Sequence, residues 1–266
     1  MSSRTHRPEI DALNAETGRR LGHGQDNLVH ALELPDYAQT LLNRGDWVLK
    51  VSHKNIGAEH KRDWSQDPVE SAISGTRYKK EKYEVLKHFL GNFIPESLFL
   101  VAGVGTQAGG QRPAEVTIQR RVPQYTISDL HESQKDDPRL SQNILELMTR
   151  LQYMYSVVGE ANGRSANRAS IDVKLDLGGV SDFVRSKPLS SKFEINDAAK
   201  TVRKNNSPNL LVDPESMQLY CIDFDQGDWN PGMSGTKETV FAIDSHRHTL
   251  ARNTGKSALA GFLTAG

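Results

Sequence analysis

Apolar and polar positions alternate or run in short blocks over the first half of the chain. Leu28 to Leu34 and Asp46 to Ser52 are apolar or alternating, and the turn-rich stretch from Pro35 to Gly45 separates them, which predicts an antiparallel strand pair. The period then changes. Tyr83, Leu86, Phe89 and Leu90 fall at helical spacing with lysines and glutamates on the other face, so a helix is predicted over Arg77 to Leu90, stopped by Gly91 and Asn92. The polar residues 55 to 75 in front of it, with Trp64 their main apolar side chain, are expected to form a connection. Ile94 to Val101 and Ala114 to Gln119 are two further strand candidates, linked by the glycine-rich loop Gly103 to Gln111.

The second half reads differently. Thr126 to His131 predicts a short capped helix, and Leu140 to Val158 a longer one whose stripe is Ile144, Leu147, Met148, Leu151 and Tyr155. Asn209 to Asp213 and Leu219 to Asp225 then predict two short buried strands joined by a Pro-Glu-Ser turn. Strands with one helix come first and helices mostly afterwards, so an α+β chain in two lobes is expected rather than alternating βαβ units. The lobes are placed at residues 1–122 and 123–266, with the boundary near Arg121 to Gln124.

Composition limits the function classes. Among 266 residues, 33 basic side chains balance 33 acidic ones, so no global field favours nucleic acid or an anionic membrane. Trp47, Trp64 and Trp229 are too scattered to form a stacking platform for single strands. Residues Met1 to Pro8 are polar and no long apolar run follows, so neither a secretory leader nor a membrane span is expected. The single Cys221 lies in an apolar run; it excludes an intramolecular disulfide framework, reads as core, and makes the cytoplasm the expected compartment.

The candidate chemistry lies at the ends of the last two strands. Asn209 at the mouth of one and Asp223 at the end of the other converge two hard oxygen donors, the ligand type that Mg²⁺ on a nucleotide takes. Asp223, flanked by Ile222 and Phe224, needs a cation or several donors, whereas Asp225 is either a second ligand or, the preferred reading, a cap of the turn that follows. His246, Arg247 and His248 near Asp244 lack the further ligands of a closed zinc site. Gly22 and Gly24 precede a strand, the reverse of the order a dinucleotide fold requires.

In this order the pieces resemble the protein-kinase-like fold, most closely its small-molecule phosphotransferase branch of aminoglycoside and choline kinase type. The resemblance covers roughly residues 18 to 158 and 203 to 230. Leu21 to Asn27, with Gly22 and Gly24, resembles the glycine-rich loop over the phosphates, although Asn27 takes the third glycine position. Val48-Leu49-Lys50-Val51 resembles the strand whose lysine neutralises phosphates. The resemblance implies that Glu81, with Glu84 as the alternative, holds that lysine. It also makes Ile118 to Leu130 the hinge, with Gln119 and Arg121 at the nucleotide, although the Arg120-Arg121 pair alone reads as a solvated surface. Pro208 to Asp213 and Ile222 to Asp225 resemble the end of the catalytic loop and the metal motif, which makes Asn209 and Asp223 the Mg²⁺ ligands.

The fold implied is two-lobed and kinase-like: a small antiparallel-sheet N-lobe with one helix and a reduced, mainly helical C-lobe. Its function would be phosphotransfer from ATP with Mg²⁺, held in the interlobe cleft, to an acceptor that the residues do not identify. One slot departs from the family. The aspartate expected five residues before Asn209 is Lys204, and a one-residue deletion puts Asn205 in its place. An amide orients a hydroxyl but does not take its proton. The segment from Glu160 to Val202, where the family has almost nothing, carries Asp172, Asp176, Asp182 and Asp197. Asp176 is the preferred replacement base, because Ile171 to Leu177 alternates like a strand ending at Gly178-Gly179. The alternative is a pseudokinase, a nucleotide-binding regulatory or scaffold module without phosphotransfer. The forty or so residues after Asp225 leave room for few further helices.

Overall fold

The segments with period-two patterning pair into one antiparallel sheet. The computed structural model describes residues 17–23, 27–32, 46–52, 67–105, 111–164, 173, 175, 177, 200, 202, 207–223 and 236–255. β1 (Thr17–His23), β2 (Asn27–Leu32), β3 (Trp47–Ser52), β4 (Ser97–Gly105) and β5 (Gln111–Arg120) form five strands in the order β1-β2-β3-β5-β4. The β2–β3 pair matches the pair predicted from the pattern, in a register that sets Lys50 opposite Val29. β1 was not expected. Its Gly18, Arg19, Arg20 and Gly22 show no apolar alternation, and it is a strand through its irregular pairing with β2. β4 and β5 run further than predicted, into both ends of the glycine-rich stretch.

Alternation gives this sheet two unlike faces. Leu49, Val51, Ala102, Ala114, Val116 and Ile118 pack into an apolar cluster with Trp47 and Leu100. The other face carries Lys50, Ser97, Glu115, Thr117 and Gln119, and these polar side chains are buried as well.

α1 (Pro68–Leu90) begins well before Arg77, so the stretch expected to be a connection ends in helix. Asp67 caps it, its Oδ1 accepting from the Val69 amide at 2.9 Å, and Pro68 stands at the first helical position, where a missing N–H costs nothing. The helix ends as predicted at Gly91, whose φ of +58° places it in the left-handed region. Its buried stripe includes Lys79 and Lys82, which had been expected on the solvated face.

A second sheet, in the order β6-β7-β8, is formed by β6 (Tyr125–Thr126), β7 (Leu210–Val212) and β8 (Leu219–Cys221). After β6 comes a 3-10 turn at Ile127–Asp129, then α2 (Glu132–Lys135) and α3 (Pro138–Arg164). Asp129 Oδ2 closes the first turn by accepting from the Thr126 amide and hydroxyl at 2.8 and 2.6 Å. The predicted α3 stripe is buried at Ile144, Leu147, Met148 and Leu151, with Tyr155 half-buried. α4 (Thr236–Asn253) occupies the tail, where few helices had been expected. Val173, Leu175 and Leu177 are buried at alternate positions, but the described residues there form no strand.

The chain is thus α+β with two antiparallel sheets. It divides into two units, residues 1–80 with 96–121 and residues 81–95 with 122–266, so α1 contributes to each. Among the described residues no helix is long and apolar enough to cross a membrane.

Candidate functional site

The β7–β8 hairpin supplies the first candidate geometry. Leu210 pairs with Cys221 and Val212 with Leu219, so Asn209 and Asp223 leave the same end of the ladder. The ladder runs one step beyond the strands, with the Ile222 amide donating to the Asn209 carbonyl at 3.1 Å. Ser207 braces the entry: its hydroxyl accepts from the Asn209 amide at 3.3 Å and its carbonyl from the Leu210 amide at 3.2 Å. Both Asn209 and Asp223 are half-buried.

The opposite end of the hairpin is closed by its own turn. Asp213 accepts from the Glu215 amide and the Ser216 hydroxyl, both at 2.9 Å, and Met217 takes a φ of 60°. Burial alone would raise the Asp213 carboxyl, but those bonds and one from the Ser216 amide hold it below its ordinary value. Cys221 is core: burial pushes its thiol up to about 12, so it is no nucleophile.

One carboxylate and one carboxamide at one hairpin end are a donor set that fits Mg²⁺, which takes oxygen ligands and is commonly held by one or two protein groups besides phosphates. Among the described residues, no group of three or more His, Cys, Asp or Glu side chains is arranged to hold a metal by itself.

The polar face of the first sheet is the second candidate. Lys50 lies mid-strand on β3, opposite Thr117, and is 8 % exposed. Glu115, on the same face of β5, pairs with Lys79 of α1 at 3.0 Å, and both are almost wholly buried. Gly75, one turn before Lys79, makes the approach possible: a Cβ there would come within 2.1 Å of Glu115 Oε1. α1 therefore covers the face that carries Lys50. Sequence reasoning missed Glu115 because Glu115, Thr117 and Gln119 alternate with Ala114, Val116 and Ile118, and such alternation reads as a solvated face. Two signals were present, a helical glycine and a lysine one turn after it.

The residues that the resemblance places at the hinge, Gln119 and Arg121, are held by the same sheet. Gln119 pairs in register with Val48 and Ser97, and its Nε2 donates to Ser97 Oγ at 3.2 Å. The Arg121 amide donates to the Asp46 carbonyl at 2.8 Å, while its guanidinium is exposed and 4.0 Å from the Asp46 carboxylate. Gly22 lies on β1 opposite Val29, and Gly24 falls outside the described residues. Asn205 and Asp176 also lie outside them, as do Lys204, Asp172, Asp182 and Asp197. Glu81 is half-buried on α1, whereas Glu84 is engaged elsewhere, with Lys237 of α4 donating to its Oε2 at 2.6 Å. That bond is the main reason the Lys237 ammonium is held above its ordinary value.

The second unit contains a cluster that sequence reasoning considered only as a metal site. Asp244 of α4 is buried; its Oδ1 accepts from the Tyr153 hydroxyl at 2.7 Å, and its Oδ2 lies 2.9 Å from His88 Nε2 and 3.6 Å from His248 Nε2. Arg247 stands 5.8 Å from the Tyr153 ring centroid and donates to Glu160 at 2.7 Å and to Ser156 at 3.1 Å. Burial first, and then the bond to Asp244, holds the Tyr153 phenol far above its ordinary value. The bond from Arg247 is the leading reason the Glu160 carboxyl lies below its own.

No family model and no curated protein matches the sequence. Among solved structures, the chain is weakly similar to an apo pseudokinase, with a TM-score of 0.35 and 11% identity over 90% of this chain and 95% of that one. None of these comparisons distinguishes an aminoglycoside or choline kinase branch.

Proposed function

We propose that the chain is an atypical kinase-like protein that binds ATP with Mg²⁺. In this reading Lys50 neutralises the phosphates, Glu81 supports Lys50, and Asn209 with Asp223 holds the metal. What supports it most is the β7–β8 register, which brings an amide and a carboxylate oxygen to one hairpin end. The element order adds to this, because kinase-type phosphoryl transfer uses a lysine on the third strand and a helix immediately after it. Bound Mg²⁺ would supply neutralisation of the charge on the β- and γ-phosphates. The chain's own contribution is to position: β3 fixes Lys50 mid-strand, and Ser207 and the ladder fix the backbone of Asn209.

A second reading, a pseudokinase that binds nucleotide without transferring phosphate, is favoured by the slot before Asn209. Both Lys204 and Asn205 lack a carboxylate, and general-base assistance is worth about 10² to 10⁴ in rate. Robust phosphotransfer would therefore need Asp176 or another carboxylate of the 160 to 202 segment, and without one the expected default is slow transfer through positioning alone. Thermal unfolding with ATP and Mg²⁺ tests both readings, since a ligand that binds only the folded state raises the midpoint. Stabilisation by ATP only when Mg²⁺ is present supports binding, and its absence at saturating nucleotide contradicts it. Turnover lost in Asp176→Ala assigns the base, whereas tight binding with no turnover in the unaltered protein selects the pseudokinase.

A further inference from the structure

Among the described residues, Met217 has the one left-handed backbone that is not glycine, with a φ of 60°. Glycine adopts that conformation freely, whereas a Cβ makes it unfavourable. Met217 closes the loop of the β7–β8 hairpin, in which the Asp213 amide donates to the Gln218 carbonyl at 2.9 Å and the Met217 amide to the Asp213 carbonyl at 2.8 Å. Pro214 to Met217 therefore join the strands, and the loop's geometry fixes their register. The chain places no glycine or asparagine at that last position. The compensation comes from outside the loop. Asn143 of α3 donates from Nδ2 to the Met217 carbonyl at 2.6 Å, Gln134 of α2 from Nε2 to the Pro214 carbonyl at 3.2 Å, and Arg139 of α3 to the Glu215 carbonyl at 3.1 Å. Arg139 is itself fixed by the Asp137 carboxylate, 2.7 Å away. All of these residues lie in one unit.

We infer that Asn143 is a positioning residue for the candidate metal site: it holds Met217 in the left-handed region and so sets the hairpin register that brings Asn209 and Asp223 to one end of the ladder. Its functional meaning rests on the reading of those two residues as Mg²⁺ ligands. Of the three donors, Asn143 is the one that meets the unfavourable residue, and its bond is the shortest. Gln134 and Arg139 hold the first half of the same loop. Without the Asn143 bond, Met217 leaves the left-handed region, the loop re-forms with another closure, and the strands slip. A slip of one residue turns one strand's side chains to the other face and changes the separation of Asn209 from Asp223. The site is thus set from the end of the hairpin opposite its ligands.

Two readouts on the full chain test this, the hairpin register by NMR and the affinity for ATP by calorimetry with and without Mg²⁺. The register is reported by the cross-strand α-proton contacts of Leu210 with Cys221 and of Val212 with Leu219. The proteins compared are the unaltered chain, Asn143→Ala, Met217→Gly and the double variant. Alanine is the better helix former, so Asn143→Ala does not weaken α3 itself. It is expected to lose those contacts and to weaken Mg²⁺-dependent ATP affinity about fivefold, the effect of one hydrogen bond, while ATP without Mg²⁺ binds as before. Met217→Gly alone is expected to keep register and affinity but to unfold more easily, because it deletes a buried side chain. In the double variant glycine holds the turn unaided, so register and affinity return although stability is lowest. A merely structural Asn143 predicts instead that the double variant is the worst in both readouts. Should Asn143→Ala fail to fold, Asn143→Asp, which keeps the shape and removes the donor, carries the same comparison. An unchanged register in Asn143→Ala overturns the inference, as does an affinity loss that Met217→Gly leaves in place. The register readout needs no nucleotide. Failure of the unaltered chain to bind ATP with Mg²⁺ therefore ends the nucleotide reading and leaves the register to decide what Asn143 does, whereas equal affinities of the unaltered chain and Asn143→Ala end the positioning role alone.

Discussion

Glu115 and Asp244 are both buried carboxylates, yet they are stabilised by opposite means. Glu115 projects from the middle of a strand onto a face covered by a helix, and its named partner is a cation as buried as itself. Asp244 lies on a helix and is held by a neutral phenol at 2.7 Å and by two imidazoles that are each about half-exposed. The first arrangement is a charge pair cut off from water, which collapses when one member is removed. The second is a carboxylate with a neutral donor on its buried side and two partly exposed imidazoles on its open side, so loss of any one partner should cost it less than loss of Lys79 costs Glu115.

The largest expected effect is therefore at Glu115. Glu115→Gln should cost about 3–5 kcal/mol in denaturant unfolding, because it strands buried ammonium, while a double replacement of Lys79 and Glu115 by methionine should lie close to the unaltered protein. Comparable losses for single and double variants would break the contrast. Gly75→Ala comes next. In an open helix this change would stabilise, but here the new Cβ meets Glu115 Oε1, so a loss of about 2 kcal/mol is expected from forced displacement of a paired side chain. A gain in stability would show that the carboxylate moves aside freely.

Tyr153→Phe should cost less, about 1.5 kcal/mol, since it removes one hydrogen bond to a carboxylate that retains His88. Its pH profile sharpens the comparison. The folded-state phenol lies above its ordinary value of 10.0, so the folded state holds that proton more tightly than the unfolded one. The stability from this group is fully present below about pH 10 and is lost as the pH rises further. Tyr153→Phe should flatten that alkaline decline, and an unchanged slope would assign the decline to other groups.

These differences also explain what the sequence made visible. The β7–β8 hairpin was legible because each strand is an apolar run with one incongruous polar residue at its end, Asn209 or Asp223, and the Pro214-Glu215-Ser216 turn fixes the pairing. The start of α1 was missed although Asp67-Pro68 is a cap followed by a first-turn proline and Val69, Ala72 and Ile73 follow at helical spacing, because Ser71, Ser74 and Gly75 among them read as a polar connection. Lys79 and Lys82 were misassigned to the solvated face, and Glu115 was not singled out, because residue type reports burial only on average, and here a helix packs on a polar sheet face. α4 was missed because Val240 and Ile243, its buried apolar residues, are too few to announce a helix. Asp244 is buried through partners far away in sequence, His88 and Tyr153, which no local pattern links.

The central claim is that Asn209 and Asp223 hold the metal of a bound nucleotide. Calorimetric titration of the unaltered chain and Asp223→Asn with ATP, each with and without Mg²⁺, tests it most directly. The account predicts Mg²⁺-dependent binding by the unaltered chain, weakened at least about tenfold by the substitution, a difference of about 1.4 kcal/mol, with unfolding otherwise unchanged. Equal affinities for the two proteins in Mg²⁺, or no binding by the unaltered chain, would contradict it.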